Sequence, residues 1–92
     1  MIKKFQHKGL EKFFLTGSKA GINAAHAVRL QVVLGRLHAS TSPHDMNLPG
    51  LYLHELKGTR KGRWSVRISG NWRVTFEFDG PDAIKVNYED YH

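Results

Sequence analysis

Along residues 64–78 apolar and polar side chains alternate. Trp64, Val66 and Ile68 are interleaved with Ser65, Arg67 and Ser69, and after Gly70-Asn71 the pattern resumes with Trp72, Val74, Phe76 and Phe78 against Arg73, Thr75 and Glu77. A period of two belongs to a strand with one face buried. A turn pair between two such runs predicts a β-hairpin. Residues 83–91 predict a further strand after the turn Asp79-Gly80-Pro81-Asp82, with Ile84, Val86 and Tyr88 inward and Lys85, Asn87 and Glu89 outward. Leu51–Leu56 predicts another, although its leucines do not share one parity, which suggests a bulge or burial on both faces. Ile2–Gln6 reads as a short first strand tied into the sheet.

Between these strands the period changes. Leu10, Phe13 and Phe14 stand at i, i+3 and i+4, so 8–16 predicts a helix closed by Gly17, with a loop through Gly21. Asn23 is a suitable N-cap for a second helix to about Ala39, whose stripe is Ala27, Leu30, Val33, Leu34 and Leu37. Gly35 weakens that helix by up to about 1 kcal/mol and is expected to allow close packing. Residues 40–50, with Pro43, Pro49 and Gly50, predict an irregular connection anchored by Met46 and Leu48. The order gives an α+β fold: two N-terminal helices on one face of a largely antiparallel sheet of four to five strands, in a single domain over residues 1–92.

Charge sharpens this picture. The chain has 14 Lys and Arg against 8 Asp and Glu, a net of +6. Six of the basic residues (Lys57, Arg60, Lys61, Arg63, Arg67 and Arg73) fall within 57–73, which holds no acidic residue, and the remainder is neutral. On the predicted hairpin, Arg67, Asn71 and Arg73 share the polar face. Fixed guanidiniums on a sheet face suit a polyanion such as a phosphodiester backbone. A solvated polar face is the plainer reading of a charge run alone. Absence of cysteine excludes a disulfide framework and thiolate metal sites, and fits a reducing cytoplasm. No apolar run approaches the ~20 residues that span a bilayer, and the charged start lacks the apolar core of a signal peptide. His7, His26, His38 and His44 have no metal-ligand spacing and read as surface or loop residues, so no metal or other cofactor is expected. Trp64 and Trp72 read as core.

The last strand runs into Asp90, Tyr91 and His92. Imidazole exchanges protons near neutral pH, a carboxylate can orient it or act as a base, and a phenol can stack or donate a hydrogen bond. RNA can be cut by attack of its own 2′-OH on the adjacent phosphorus. That reaction needs a proton acceptor, a proton donor for the 5′ oxygen, and cations for the charge of the transition state. His92 and Asp90 supply the first two; Lys57, Arg67 and Arg73 supply the third.

Five stretches carry a resemblance to a known family: Met1-Ile2-Lys3-Lys4-Phe5 with His7-Lys8-Gly9-Leu10, Leu53-His54-Glu55-Leu56-Lys57-Gly58, Trp64-Ser65-Val66-Arg67-Ile68, Asn71-Trp72-Arg73-Val74-Thr75-Phe76, and Asn87-Tyr88-Glu89-Asp90-Tyr91-His92. Together they span nearly the whole chain, which resembles the HigB family of bacterial toxin–antitoxin modules within the RelE/ParE superfamily. The resemblance implies a RelE/ParE-like toxin that cuts mRNA in the ribosomal A site and is neutralised by a HigA-type helix-turn-helix antitoxin. It carries active-site positions onto Lys57, Asn71, Arg73, Asp90, Tyr91 and His92, and onto His54. Arg67 joins them because its parity matches Asn71 and Arg73. The implied roles are acid–base chemistry for His92 and Asp90, phosphate binding for Lys57, Arg67 and Arg73, and positioning of a base or of the chain end for Tyr91 and Asn71. The loop Arg60-Lys61-Gly62-Arg63 is expected on ribosomal RNA backbone. Two other readings stay open. One is a ParE-like inhibitor of a topoisomerase, because members of one fold need not share a target. The other is a plain basic RNA-binding module.

Overall fold

The first helix, α1 (Lys8–Thr16), begins where His7 Nδ1 accepts the Leu10 N–H at 2.9 Å. It ends at Gly17, whose φ of 80° is the left-handed cap that glycine adopts freely. Asn23 accepts the Ala25 N–H at 3.0 Å and opens a 3₁₀ turn, Ala24–His26, that runs into α2 (Ala27–Ala39). The whole predicted stripe of α2 is buried. One glycine contact is obligatory: a side chain on Gly9 would lie 2.5 Å from the Gly21 carbonyl oxygen, so the start of α1 and the inter-helix loop meet backbone to backbone. Gly35 has the opposite setting. Nothing lies within 4 Å of a side chain placed there, so the expected close packing at Gly35 does not occur.

This computed structural model describes residues 1–90. Four antiparallel strands, β1 (His54–Glu55), β2 (Trp64–Ser69), β3 (Trp72–Asp79) and β4 (Asp82–Asp90), form a sheet in that order. The expected first strand is a lighter attachment: Ile2 and Phe5 form single parallel bridges to Ala83 and Val86 along the outer edge of β4. Its hydrogen bonds include Lys3 N–H to Ala83 O and Gln6 N–H to Val86 O, both 2.8 Å. They occupy an edge that is otherwise open to pairing with another chain.

The β2–β3 hairpin shifts register between Arg67 and Ser69, and two other stretches depart from the simple alternation at a left-handed residue. The predicted strand 51–56 shrinks to His54–Glu55 because Tyr52 takes φ 52°, which interrupts the ladder. Leu51 O still accepts the Arg67 N–H, and the Leu56 N–H still reaches Arg63 O, both at 2.7 Å. In β4, Lys85 takes φ 53° and the register with β3 slips between Thr75 and Glu77. That bulge places Ala83, Val86 and Tyr88 inward and pairs Ile84 with Glu77 on the other face, correcting the expected inward Ile84.

The core joins α1, α2 and one sheet face. Leu10, Leu30, Leu34, Leu37, Met46, Val66, Val74, Phe76 and Val86 are fully buried, with Leu48, Trp64 and Trp72 packed against them. Each buried aliphatic or aromatic side chain of this size contributes about 1.5–3 kcal/mol before entropy is counted. Of the histidines expected at the surface or in loops, His44 is exposed in the 40–50 connection as expected, while His26 and His38 are drawn into the core region. His26 is buried with its Nδ1 2.5 Å from the Tyr88 hydroxyl, His38 Nδ1 accepts the Ile2 N–H at 3.2 Å, and His44 packs edge-on against Trp64. No helix among the described residues is long and apolar enough to cross a membrane.

Candidate functional site

The sheet face turned away from the helices carries the candidate chemistry in two cross-strand rows. One row is Arg67 on β2, Arg73 on β3 and Glu89 on β4; the next is His54, Ser65, Thr75 and Asn87. Directly opposed residues hold their Cβ atoms about 4.5–5.5 Å apart. The hairpin therefore sets two guanidiniums side by side, as its alternation predicted. Arg67 is exposed and Arg73 is half-buried. The Nη1 of Arg73 is covered and has no hydrogen-bond partner among the described residues. An unpaired buried donor costs about 1–3 kcal/mol, more when charged, so an arriving anion is favoured at this place.

Arg67 is held from both sides. Arg29 of α2 donates from Nη2 to Gly50 O at 2.6 Å and to Arg67 O at 3.2 Å, which fixes the backbone there. The Tyr52 ring lies 5.6 Å from the guanidinium carbon, within cation–π range. His54 is exposed; its Nδ1–H donates to Tyr52 O at 3.3 Å, which leaves Nε2 for a ligand. Asn71 is exposed in the hairpin turn, two positions before Arg73.

Not all of the basic run is available. A 3₁₀ turn, Gly58–Arg60, folds the loop onto the sheet. Arg60 Nη2 donates to Glu89 Oε2 at 2.7 Å, and Thr75 Oγ1 donates to the same oxygen at 2.6 Å. Arg63 is only 7% exposed. Its Nη2 donates to Gln6 Oε1 at 2.7 Å, Lys85 O at 2.9 Å and Thr75 Oγ1 at 3.0 Å, and its Nη1 lies 3.6 Å from Glu77 Oε2. Arg63 is therefore an internal counter-ion, which corrects the expectation that it faces an RNA backbone. Arg60 is paired with Glu89 but keeps 36% of its side chain exposed. Burial pushes the Arg63 guanidinium below its usual value, as does the neighbouring Arg60 charge, and Glu89 and Glu77 offset part of that. Burial also raises Glu89, but the hydrogen bonds from Arg60 and Thr75 and the two arginine charges outweigh it, so its carboxyl sits below the ordinary range. Lys57 and Lys61 are exposed and, with Arg67 and Arg73, form no ion pair among the described residues.

The chain end is only partly in view. Asp90 is exposed at the end of β4 and pairs across the sheet with Trp72, so the pleat puts it opposite to the arginine row. The carboxylate inside that row is Glu89. Tyr91 and His92 lie outside the described residues. Sequence reasoning passed over two residues here. Glu89 was legible as outward-facing, but its tie to Arg60 was not. Tyr52 gave no periodic signal, because its position depends on a left-handed backbone.

Two comparisons with known proteins bear on this face. Residues 3–92 match the family model described as the RelE-like toxin of the type II toxin–antitoxin system HigB. The chain is also 42% identical over 92 residues, covering all of both proteins, to the Endoribonuclease HigB of Proteus vulgaris.

Proposed function

The chain belongs to the HigB-like family of RelE-like toxins of type II toxin–antitoxin systems, and from that premise we propose that it is an endoribonuclease that cuts mRNA in the ribosomal A site. A toxin of this type has a cognate antitoxin; here we infer a HigA-type helix-turn-helix protein. The toxin's site of action is then the cytoplasm, where translating ribosomes are.

The reaction is an internal displacement. A base takes the 2′-OH proton, the 2′ oxygen bonds to phosphorus, and the bond from phosphorus to the 5′ oxygen breaks as an acid protonates that oxygen. The products are a 2′,3′-cyclic phosphate and a 5′-hydroxyl, and the chemistry calls for no metal. His92 is the proton-transfer group, and Asp90, which the pleat turns away from the arginine row, is its partner at the chain end and not a second group on the phosphate. Arg73 and Arg67 hold the scissile phosphate and the negative charge that grows on it, and Lys57 supplies a third cation. Tyr91, Asn71 and His54 position the flanking nucleotides, and Lys61 meets RNA backbone. Free cations of this kind make association salt dependent.

The observation that supports this reading is the row itself: a covered, unpartnered Arg73 nitrogen beside Arg67. A ParE-like topoisomerase inhibitor needs no such anion seat, and the 42% identical relative is named an endoribonuclease. The test measures cleavage of mRNA on programmed ribosomes by full-length protein. Arg73→Ala and His92→Ala are each expected to lower the rate by roughly 100-fold or more, the scale of losing one charge-stabilising donor, while melting like the parent. Wild-type cutting by both variants would discard the assignment. Intact mRNA with DNA damage on expression would favour the topoisomerase reading.

A further inference from the structure

Tyr52 combines three properties that rarely coincide. It is a bulky residue at φ 52°, a left-handed conformation that an aromatic side chain seldom adopts. Its surface is 66% exposed, although burial is the usual gain from an aromatic ring. It also lies 5.6 Å from the guanidinium carbon of Arg67, a phosphate-binding residue in the reading above. A strained residue persists only where its surroundings over-determine it. Here they do. Leu51, beside it, is buried and its carbonyl accepts the Arg67 N–H at 2.7 Å. Arg29 clamps Gly50 O at 2.6 Å, and His54 Nδ1–H holds Tyr52 O at 3.3 Å. The backbone is fixed on both sides so that the ring stands out from the sheet next to Arg67.

We propose that Tyr52 is a nucleobase-stacking platform for a nucleotide flanking the phosphate held by Arg67 and Arg73. The inference rests on the nuclease reading and assigns it one further subsite. Arg67 lies over one side of the ring, and the exposed remainder offers a π surface to a base. Stacking on an aromatic ring tolerates any base, so this subsite adds affinity and orientation, with little choice among bases. The neighbouring guanidinium strengthens the stack through cation–π attraction and reaches the phosphate of the same nucleotide. A tyrosine whose only task was to shield Arg67 would lie over it without a strained backbone.

The experiment uses full-length Tyr52→Phe, Tyr52→Leu and Tyr52→Gly proteins, with Arg73→Ala as reference, and follows mRNA cleavage on programmed ribosomes with melting midpoints measured in parallel. Phe keeps the ring and is expected to hold KM and kcat within about twofold. Leu and Gly are expected to raise KM roughly tenfold with kcat little changed, the scale of one lost base stack. Gly also relieves the left-handed backbone, so its midpoint should equal or exceed the parent's. An unchanged KM in Leu and Gly overturns the platform. So does a Phe variant as impaired as Leu, or a KM rise in Gly that accompanies a lowered midpoint. Full activity in Arg73→Ala overturns the nuclease site itself and leaves a distinct signature.

Discussion

Arg63 and Arg73 belong to one basic run and border the same sheet face, yet they end in opposite states. Arg63 is 7% exposed and satisfied by Gln6, Thr75, the Lys85 carbonyl and Glu77. Arg73 has a covered nitrogen with no partner among the described residues. The difference lies in what stands opposite each. Arg73 faces Arg67 on one side, a like charge, which is unfavourable in a cross-strand pair. On its other side stands Glu89, whose Oε2 is already taken by Arg60 at 2.7 Å and Thr75 at 2.6 Å. The loop Gly58–Arg60 thus does more than carry charge: it ties up the carboxylate of the row and leaves the row cationic. Two of the six cations in a uniform charge run, Arg60 and Arg63, are tied to carboxylates, and Arg67 and Arg73 become a seat for an anion.

The contrast can be broken most directly by exchanging its two ends for alanine. Arg63→Ala leaves Gln6, Thr75 and the Lys85 carbonyl without their Arg63 donor and Glu77 paired with Lys85 alone, and is expected to lower unfolding free energy by about 3 kcal/mol. That corresponds to a melting midpoint lower by roughly 15 °C in a domain of this size. Arg73→Ala removes an unpaired donor, so its midpoint should hold or rise slightly even as cleavage is lost. Calorimetry of the two variants beside the cleavage assay checks the crossing; equal destabilisation by both erases the distinction.

A subtler break acts through the loop. Arg60→Ala releases Glu89, which is then free to turn to Arg73. Cleavage is expected to fall about tenfold, the scale of one charged hydrogen bond redirected. The double variant Arg60→Ala with Glu89→Gln should regain most of that loss, because the freed side chain no longer carries charge. If Arg60 met RNA directly, or served only to clamp the loop, the second substitution would restore nothing.

The smallest expected effect concerns acid. The folded Glu89 carboxyl lies below its ordinary value of 4.5. Its contribution is therefore fully present above pH 4.5 and is lost as pH falls through the lowered folded value. Glu89→Gln should be somewhat less stable than the parent at neutral pH, by under about 1 kcal/mol for a partly exposed pair. The two should converge on acidification below that range. Denaturant titrations at several pH values would show it, and parallel pH profiles would deny Glu89 the ion pair.

Much of the fold was legible because its signals are local. The stripe of α2, the caps at Gly17 and Asn23, and the hairpin 64–78 each follow from spacing within one element, and Arg67 and Arg73 inherit a shared face from that hairpin. The misreadings cluster where one residue overrides a period. Tyr52 cuts short the strand expected over 51–56, and Lys85 turns Ile84 outward. Neither side chain announces a left-handed backbone.

The amino-acid order alone determined the element sequence, the apolar face and the placement of guanidiniums on the other face, because pleat and helical pitch are properties of neighbouring residues. Which of those guanidiniums remain open was decided only in three dimensions. Glu89 and Glu77 come from later in the chain, and they meet Arg60 and Arg63 only when the sheet has formed and the loop has folded onto it. Charge is written into the chain residue by residue. Its neutralisation depends on distance, and distances between remote residues exist only in the folded state.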